Sequence, residues 1–324
     1  MDHAQTPRIG IDLGGTKIEA VVMQSDGSIS HRKRVSTPSG DYLATLHAIH
    51  DITQEIGLEA GLPSRLPLGI GTPGAVSLKT GLMINCNSTC LNGQPLVNDL
   101  QTISGRAVRI ANDADCFALS EASDGAAKDS ELMVGVILGT GVGGGIIINQ
   151  QLSYGVNAIR GEWGHNSLPV QVLQHDLPGA LANHNHACFC GRTDCVETWI
   201  SGPAFAKHFE LLTGRFTRPE EIMQLYREGD TDAETLFQCQ LHLTALALSN
   251  LINALDPDCI VLGGGLSNIT EFYEELPKIL PAYVFSDVLN TQILKAEHGD
   301  SSGVRGAAWL WQQQEVVEQL EQAT

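Results

Sequence analysis

The sequence has no excess of positive charge, no long apolar run and no low-complexity tail. Nineteen Lys and Arg stand against 37 Asp and Glu, giving a formal charge of −18 and a pI near 4.9. That balance argues against a nucleic-acid partner, which needs a basic face. The missing apolar run argues against a membrane partner. A signal-peptide pattern is also missing, and eight cysteines without one fit a reduced, cytoplasmic compartment. No heptad array or internal repeat is visible. No G-x-x-x-x-G-K-[ST] occurs, which excludes the Walker A manner of holding ATP.

What is present suffices for two ordinary domains: 324 residues, 43% of them hydrophobic. Alternation around Ile9, Ile11 and Leu13 predicts a strand over Arg8 to Leu13, ending in Asp12-Leu13-Gly14-Gly15-Thr16-Lys17. Apolar residues resume at Ala20 to Met23, so the glycine pair joins two strands. A turn of that kind aims consecutive N–H groups at an anion. Asp41 is placed to cap a helix with apolar positions Leu43, Leu46, Ile49, Ile52 and Ile56. Leu68 to Gly71 reads as a buried strand entering Thr72-Pro73-Gly74, and residues 81–95 as a polar, irregular segment whose Asn85, Asn87 and Asn92 suit either sugar hydroxyls or local turns.

Val108 to Ala111 predicts another strand. Asn112-Asp113 follows at its carboxyl end, a favoured place for a site in open α/β sheets and equally a helix cap for Ala114 to Ala122. Strands over Leu132 to Leu138 and Ile146 to Asn149 flank G-T-G-V-G-G-G at 139–145. Two G-x-G-x-x-G matches, at Gly69 to Gly74 and within 139–145, lack the following helix that a dinucleotide fingerprint requires. Helices are expected around 203–212, 218–226, 231–255 and 271–280, a strand at Cys259 to Leu262 before Gly263-Gly264-Gly265, another near 292–296, and a final helix over Val304 to Gln322.

The densest chemistry lies between Gly161 and Trp199. G-E-W-G-H holds Glu162 and His165, and C-F-C-G-R-T-D-C-V-E holds Cys188, Cys190, Cys195 and Glu197. Three thiols and an imidazole suit a structural Zn2+ of the Cys3His type, whereas a disulfide would leave an odd thiol. His184 and His186 are rival fourth ligands, and three core thiols beside a surface histidine is the plainer alternative. A closed site would hold the backbone around Glu162 and Glu197 without doing chemistry itself.

Taken in order, D-L-G-G-T-K, G-I-G-T-P-G, N-D-A-D, G-T-G-V-G-G-G, G-E-W-G-H, C-F-C-G-R-T-D-C-V-E and L-G-G-G-L-S resemble the motifs of the ROK family (repressor, open reading frame, kinase) in the actin-like ATPase superfamily. N-S-T-C-L-N-G-Q-P at 87–95 and H-G-D-S-S-G-V-R-G-A-A-W-L at 298–310 resemble most the bacterial fructokinase and mannokinase branch.

The resemblance implies an α/β, two-lobed, ribonuclease H-like fold with nucleotide and sugar in the interlobe cleft. It implies a first lobe over 1–113, completed by the C-terminal helix at about 304–324, and a second lobe over 114–303 carrying the zinc. Asp113 matches the general base. Gly74, Asn87, Asn112, Glu162, His165 and Glu197 match the sugar pocket, and His165 also matches a zinc ligand beside Cys188, Cys190 and Cys195. Asp12 would orient Mg2+ through water, with Gly14, Gly15, Thr16, Lys17, Gly139, Thr140 and Gly141 at the phosphates of ATP, and Gly264 and Gly265 at its adenosine. The expected activity is transfer of phosphate from ATP to the 6-hydroxyl of a hexose, fructose first, by a homodimer. N-acetylglucosamine kinase or glucokinase is the alternative within the class. A sugar-responsive repressor is the rival outside it, disfavoured because only residues 1–7 precede the first strand, too few for a helix-turn-helix.

Overall fold

The computed structural model describes residues 6–173, 177–181 and 185–322. It divides into two compact units, the first comprising residues 1–128, 154–159 and 300–324, the second 129–153 and 160–299.

The first unit opens with β1 (Arg8–Leu13), β2 (Lys17–Met23) and β3 (Ile29–Ser36), followed by α1 (Tyr42–Glu59), β4 (Leu68–Gly71), a small hairpin of β5 (Ala75–Val76) and β6 (Met83–Ile84), α2 (Leu96–Ser104), β7 (Val108–Ala111) and α3 (Asp113–Ser123). Its main sheet runs β3-β2-β1-β4-β7. The first three strands pair antiparallel, and β4 and β7 add in parallel. Asp41 caps α1, its carboxylate accepting from the Ala44 N–H at 3.0 Å. Leu46, Ile49, Ile52 and Ile56 are buried as expected, but Leu43 is exposed.

In the second unit β8 (Leu132–Leu138), β9 (Val142–Ile148) and β10 (Gln151–Leu152) are followed by α4 (Glu197–Ile200), α5 (Gly202–Thr213), α6 (Pro219–Arg227), α7 (Thr231–Leu255), β11 (Cys259–Gly263), α8 (Glu271–Ile279) and β12 (Gln292–Lys295). Its sheet, β10-β9-β8-β11-β12, repeats the pattern of the first: three antiparallel strands, then two parallel ones. Two copies of one topology mark the ribonuclease H-like architecture of actin-like ATPases. No helix among the described residues is long and apolar enough to cross a membrane.

The chain ends in α9 (Ser302–Trp309) and α10 (Gln313–Gln322), both in the first unit. One continuous helix over 304–322 was expected. It breaks because Trp311 is buried, its indole donating to the Leu68 carbonyl at 2.8 Å and its own carbonyl accepting from Arg8 at 2.7 Å. Small residues seat α9. A β-carbon at Gly69 would overlap the Ala307 carbonyl, and one at Gly306 would overlap the Cys116 carbonyl of α3. The division therefore falls at residue 128 rather than 113, since α3 is fastened to α9 by the Glu121–Ser302 hydrogen bond (2.9 Å) and the Asp124–Arg305 ion pair.

Two other expectations change. Strand β3 had not been foreseen, and β9 begins at Val142 rather than Ile146. Gly143 to Gly145 are thus strand residues, and the turn is confined to Gly139 to Gly141, where the Gly139 N–H donates to the Gly141 carbonyl at 3.0 Å.

Candidate functional site

In the first unit, the turn from Gly14 to Lys17 is closed by the Gly14 N–H donating to the Lys17 carbonyl at 3.0 Å. It is braced by Thr37, whose hydroxyl donates to the Gly14 carbonyl at 2.7 Å. Gly15, Thr16 and Lys17 are exposed. Asp12, at the end of β1, faces the first turn of α9, where a β-carbon on Gly303 would lie 3.7 Å from its carboxylate. Burial, then the charges of Asp113 and Glu19, push the Asp12 carboxyl up to about 6. A carboxylate whose proton affinity is raised by acidic neighbours suits a cation.

Asn112 and Asp113 begin α3. The Asn112 side chain accepts from the Asp115 N–H at 2.6 Å, so it is the helix cap that the sequence allowed. Asp113 is exposed at its surface, yet the protein packed around it desolvates the carboxylate enough to raise its pKa, opposed by the Ala114 N–H that the carboxylate accepts at 2.9 Å. A carboxylate raised in this way has the chemistry of a proton acceptor. Gly74, at φ +88°, backs onto Cys86, where a β-carbon would lie 2.6 Å from the thiol. The Asn92 side chain grips Cys86 by both backbone groups, at 2.9 and 3.0 Å. Asn92 is therefore a loop clamp, Asn85 sits in a left-handed turn at φ 59°, and Asn87, exposed like the other two, has neither of these local roles.

In the second unit the residues from the cysteine-rich stretch converge. One donor atom from each of His165, Cys188, Cys190 and Cys195 lies within 4.8 Å of the other three. Cys190 and Cys195 are 3.7 Å apart at sulfur, and Cys188 Sγ is 3.5 Å from His165 Nδ1. A zinc tetrahedron with Zn–S near 2.3 Å and Zn–N near 2.05 Å has edges of about 3.8 and about 3.6 Å. The donor set fits that ion. The Arg192 backbone N–H holds the Cys190 thiol down to about 6, while burial and then the Glu197 carboxylate push Cys188 up. A divalent cation reverses the second preference. His186 lies against Trp199, ring centroids 4.4 Å apart, rather than in the donor cluster, and His184 lies outside the described residues.

His165 and Glu162 share the 3₁₀ turn Glu162–His165. β-Carbons at Gly161 and Gly164 would overlap the backbone of β9, and the Trp163 indole donates to the Gly143 carbonyl at 3.1 Å. That packing is the use of the glycines in β9. Glu162 is exposed, whereas Glu197 at the start of α4 is half-buried, its side chain 12% exposed, 2.9 Å from the Cys188 thiol and 3.7 Å from His165 Nδ1. Gly264, at φ +82°, abuts the turn after β8, where a β-carbon would lie 2.6 Å from the Leu138 carbonyl, so two of the three glycine turns touch.

Glu19 escaped the sequence reading. It is buried opposite Asp12 in the β1–β2 register and holds Arg34 at 2.7 Å, Arg32 at 3.0 Å and Lys17 at 3.7 Å. The signal was available: a carboxylate on the inward side of a strand, opposite a basic H-R-K-R run.

The paired sheets and their glycine turns define a protein of the actin-like ATPase fold class. Comparison with known proteins is then specific: the ROK family model matches residues 8–314, and the chain belongs to the ROK family. The N-acetyl-D-glucosamine kinase of Yersinia enterocolitica is 41% identical over 301 residues, covering 93% of this chain and 98% of that protein. The ROK hexokinase of Thermus thermophilus superposes with a TM-score of 0.81 at 28% identity, covering 94% of this chain and 97% of that one. A ROK glucokinase from Streptomyces griseus, solved with glucose and AMPPNP, gives a TM-score of 0.71 at 27% identity over 94% and 99% of the two chains. The Yersinia relative corrects the finer expectation: its name carries the alternative, an N-acetylglucosamine kinase, better than a fructokinase.

Proposed function

We propose that the protein is an ATP-dependent kinase that phosphorylates N-acetyl-D-glucosamine at its 6-hydroxyl. The observation that carries the choice of sugar is the 41% identity, across nearly the full length of both chains, to a kinase named for that substrate. The local geometry supports the reaction class. Phosphoryl transfer asks mainly for alignment and charge neutralisation, with one carboxylate to take the acceptor's proton.

In this reading Asp113 is the base. Desolvation by its surroundings favours the protonated form, which suits a group that must accept a proton during each turnover. The Gly14–Lys17 and Gly139–Gly141 turns, whose first N–H groups close the turns themselves, would serve the phosphates, and Gly264 and Gly265 the adenosine. Asp12 is the carboxylate that would hold Mg2+ through water. When bound, that ion neutralises phosphate charge and fixes the donor's orientation.

Glu162, His165 and Glu197, with Asn87, Asn112 and Gly74, form the sugar-binding set. Unmatched polar groups in such a pocket cost about 1–3 kcal/mol each, so carboxylates that accept from vicinal hydroxyls discriminate sharply. His165, Cys188, Cys190 and Cys195 would hold Zn2+. The imidazole would use Nδ1 for the ion, leaving Nε2 for a hydroxyl. A closed site of four protein ligands supplies stiffness, not Lewis-acid chemistry. The homodimeric and cytoplasmic state rests on family resemblance alone, and sedimentation of the purified protein tests the first.

The test of the sugar is a coupled ADP-release assay with N-acetylglucosamine, glucose, mannose and fructose. The highest kcat/KM is expected on the acetylated sugar. A preference for fructose would restore the original expectation and overturn this one.

A further inference from the structure

We infer that Gly141 is a positioning residue for Glu197: its missing side chain lets the carboxylate that serves the sugar and the metal cluster rest against the turn that serves the phosphates. The inference deepens the functional reading above and rests on it.

The geometry lies within the second unit. Glu197 splits its two oxygens. Oε1 faces the Cys188 thiol at 2.9 Å and His165 Nδ1 at 3.7 Å. Oε2 occupies the space a side chain at 141 would enter, 2.9 Å from an ideal β-carbon there. The same turn is tied to the segment after Glu197 by the Gly202 N–H, which donates to the Gly139 carbonyl at 2.9 Å. Gly141 is not among the positive-φ residues. Alanine at 141 therefore meets no backbone strain, and its methyl group presses on the far end of a flexible side chain. The displacement falls on the Glu197 carboxylate, while the turn keeps its shape. Glycine at 141 is thus explained by Glu197 as much as by any phosphate, and the sugar half and the nucleotide half of the second unit meet at this contact.

The test is the steady-state kinetics of Gly141→Ala, Glu197→Asp and the double variant, with zinc content and thermal midpoint measured in parallel. The expected result for Gly141→Ala is a rise of about tenfold in KM for the sugar, as a misplaced binding group gives, larger than any rise in KM for ATP, with zinc content near wild type. In the double variant the shortened side chain at position 197 withdraws from the methyl group, so the combined defect falls below the product of the two single ones. An unchanged sugar KM, a rise confined to ATP, or two defects that multiply would each overturn the inference. So would failure of both Gly141→Ala and Gly141→Ser to fold, since the clash would then fall on the backbone. The wild type separates the two readings: no turnover of any of the four sugars fails the functional reading, whereas normal turnover with an unshifted Gly141→Ala fails this one.

Discussion

Cys188 Sγ lies 2.9 Å from Glu197 Oε1, a thiol against a carboxylate. A thiolate and a carboxylate at that distance repel unless a proton or a cation is shared, and three further soft donors surround the sulfur. About one zinc per chain is therefore expected in gently purified protein, by metal analysis. Cys195→Ser, at a fully buried member of the candidate donor set, should lower zinc occupancy and raise the sugar KM at least tenfold. Metal-free wild type with full sugar affinity would refute the role.

Asp113 should be indispensable to turnover and dispensable for binding. Asp113→Asn keeps the shape and removes the proton acceptor, so kcat should fall by about 10² to 10⁴ while calorimetry still detects sugar binding. Near-normal kcat would remove Asp113 from the chemistry.

Asp12 predicts a pH dependence of magnesium binding. Its carboxyl is pushed up to about 6 by burial and by Asp113 and Glu19. A proton and Mg2+ compete for the same charge, so the Mg2+ concentration needed for half activity should rise as pH falls through 6 and flatten above it. Titrations at pH 5.5, 6.5 and 7.5 check this. Asp12→Asn should weaken Mg2+ binding at every pH and abolish the slope.

The sheet strands and long helices were legible because their apolar periodicity is dense, as in β1 and β8. The metal cluster was legible because zinc chemistry selects residue types that sit close in sequence. The break after α9 was not, because it depends on Trp311 finding the Leu68 carbonyl far away in sequence. Nor was the use of Gly143 to Gly145, since motif glycines look alike whether they admit a phosphate or a neighbouring turn. Strand β3 was missed because its H-R-K-R run carries charge where apolar alternation was sought, Arg32 and Arg34 being held by a buried Glu19 and Lys33 by Glu55 and Glu59 of α1. The choice of sugar was beyond the residues, since carboxylates such as Glu162 and Glu197 suit the hydroxyls of any hexose.

His208 is fully buried on α5, beside Trp199 and His186 at ring distances of 5.6 Å, and burial lowers its pKa to about 3. Between pH 6.5 and 3 the unfolded chain binds a proton there that the folded chain does not, so stability falls as pH drops through that window. From pH 6.5 to pH 5 the loss is about 2 kcal/mol at most. Chemical denaturation of His208→Phe and wild type at pH 7.5 and 5.0 should show a smaller acid penalty in the variant. Equal penalties would mean that the buried imidazole does not govern acid sensitivity.

Gly306 makes the sharpest prediction about the scaffold. A β-carbon there would overlap the carbonyl of Cys116, so any side chain must push α9 off α3, and with it the first turn of α9 that faces Asp12. Overpacking of a close helix contact costs about 1–3 kcal/mol and sometimes more. Gly306→Ala should lower the thermal midpoint by several degrees and also weaken Mg2+-dependent turnover, although residue 306 is assigned no contact with a substrate. Gly299→Ala is the control, because a β-carbon there meets nothing within 4 Å. Its φ of +53° limits the expected cost to backbone strain of about 1 kcal/mol, without the loss of turnover. If the two variants lose turnover equally, close packing at Gly306 is not what positions Asp12.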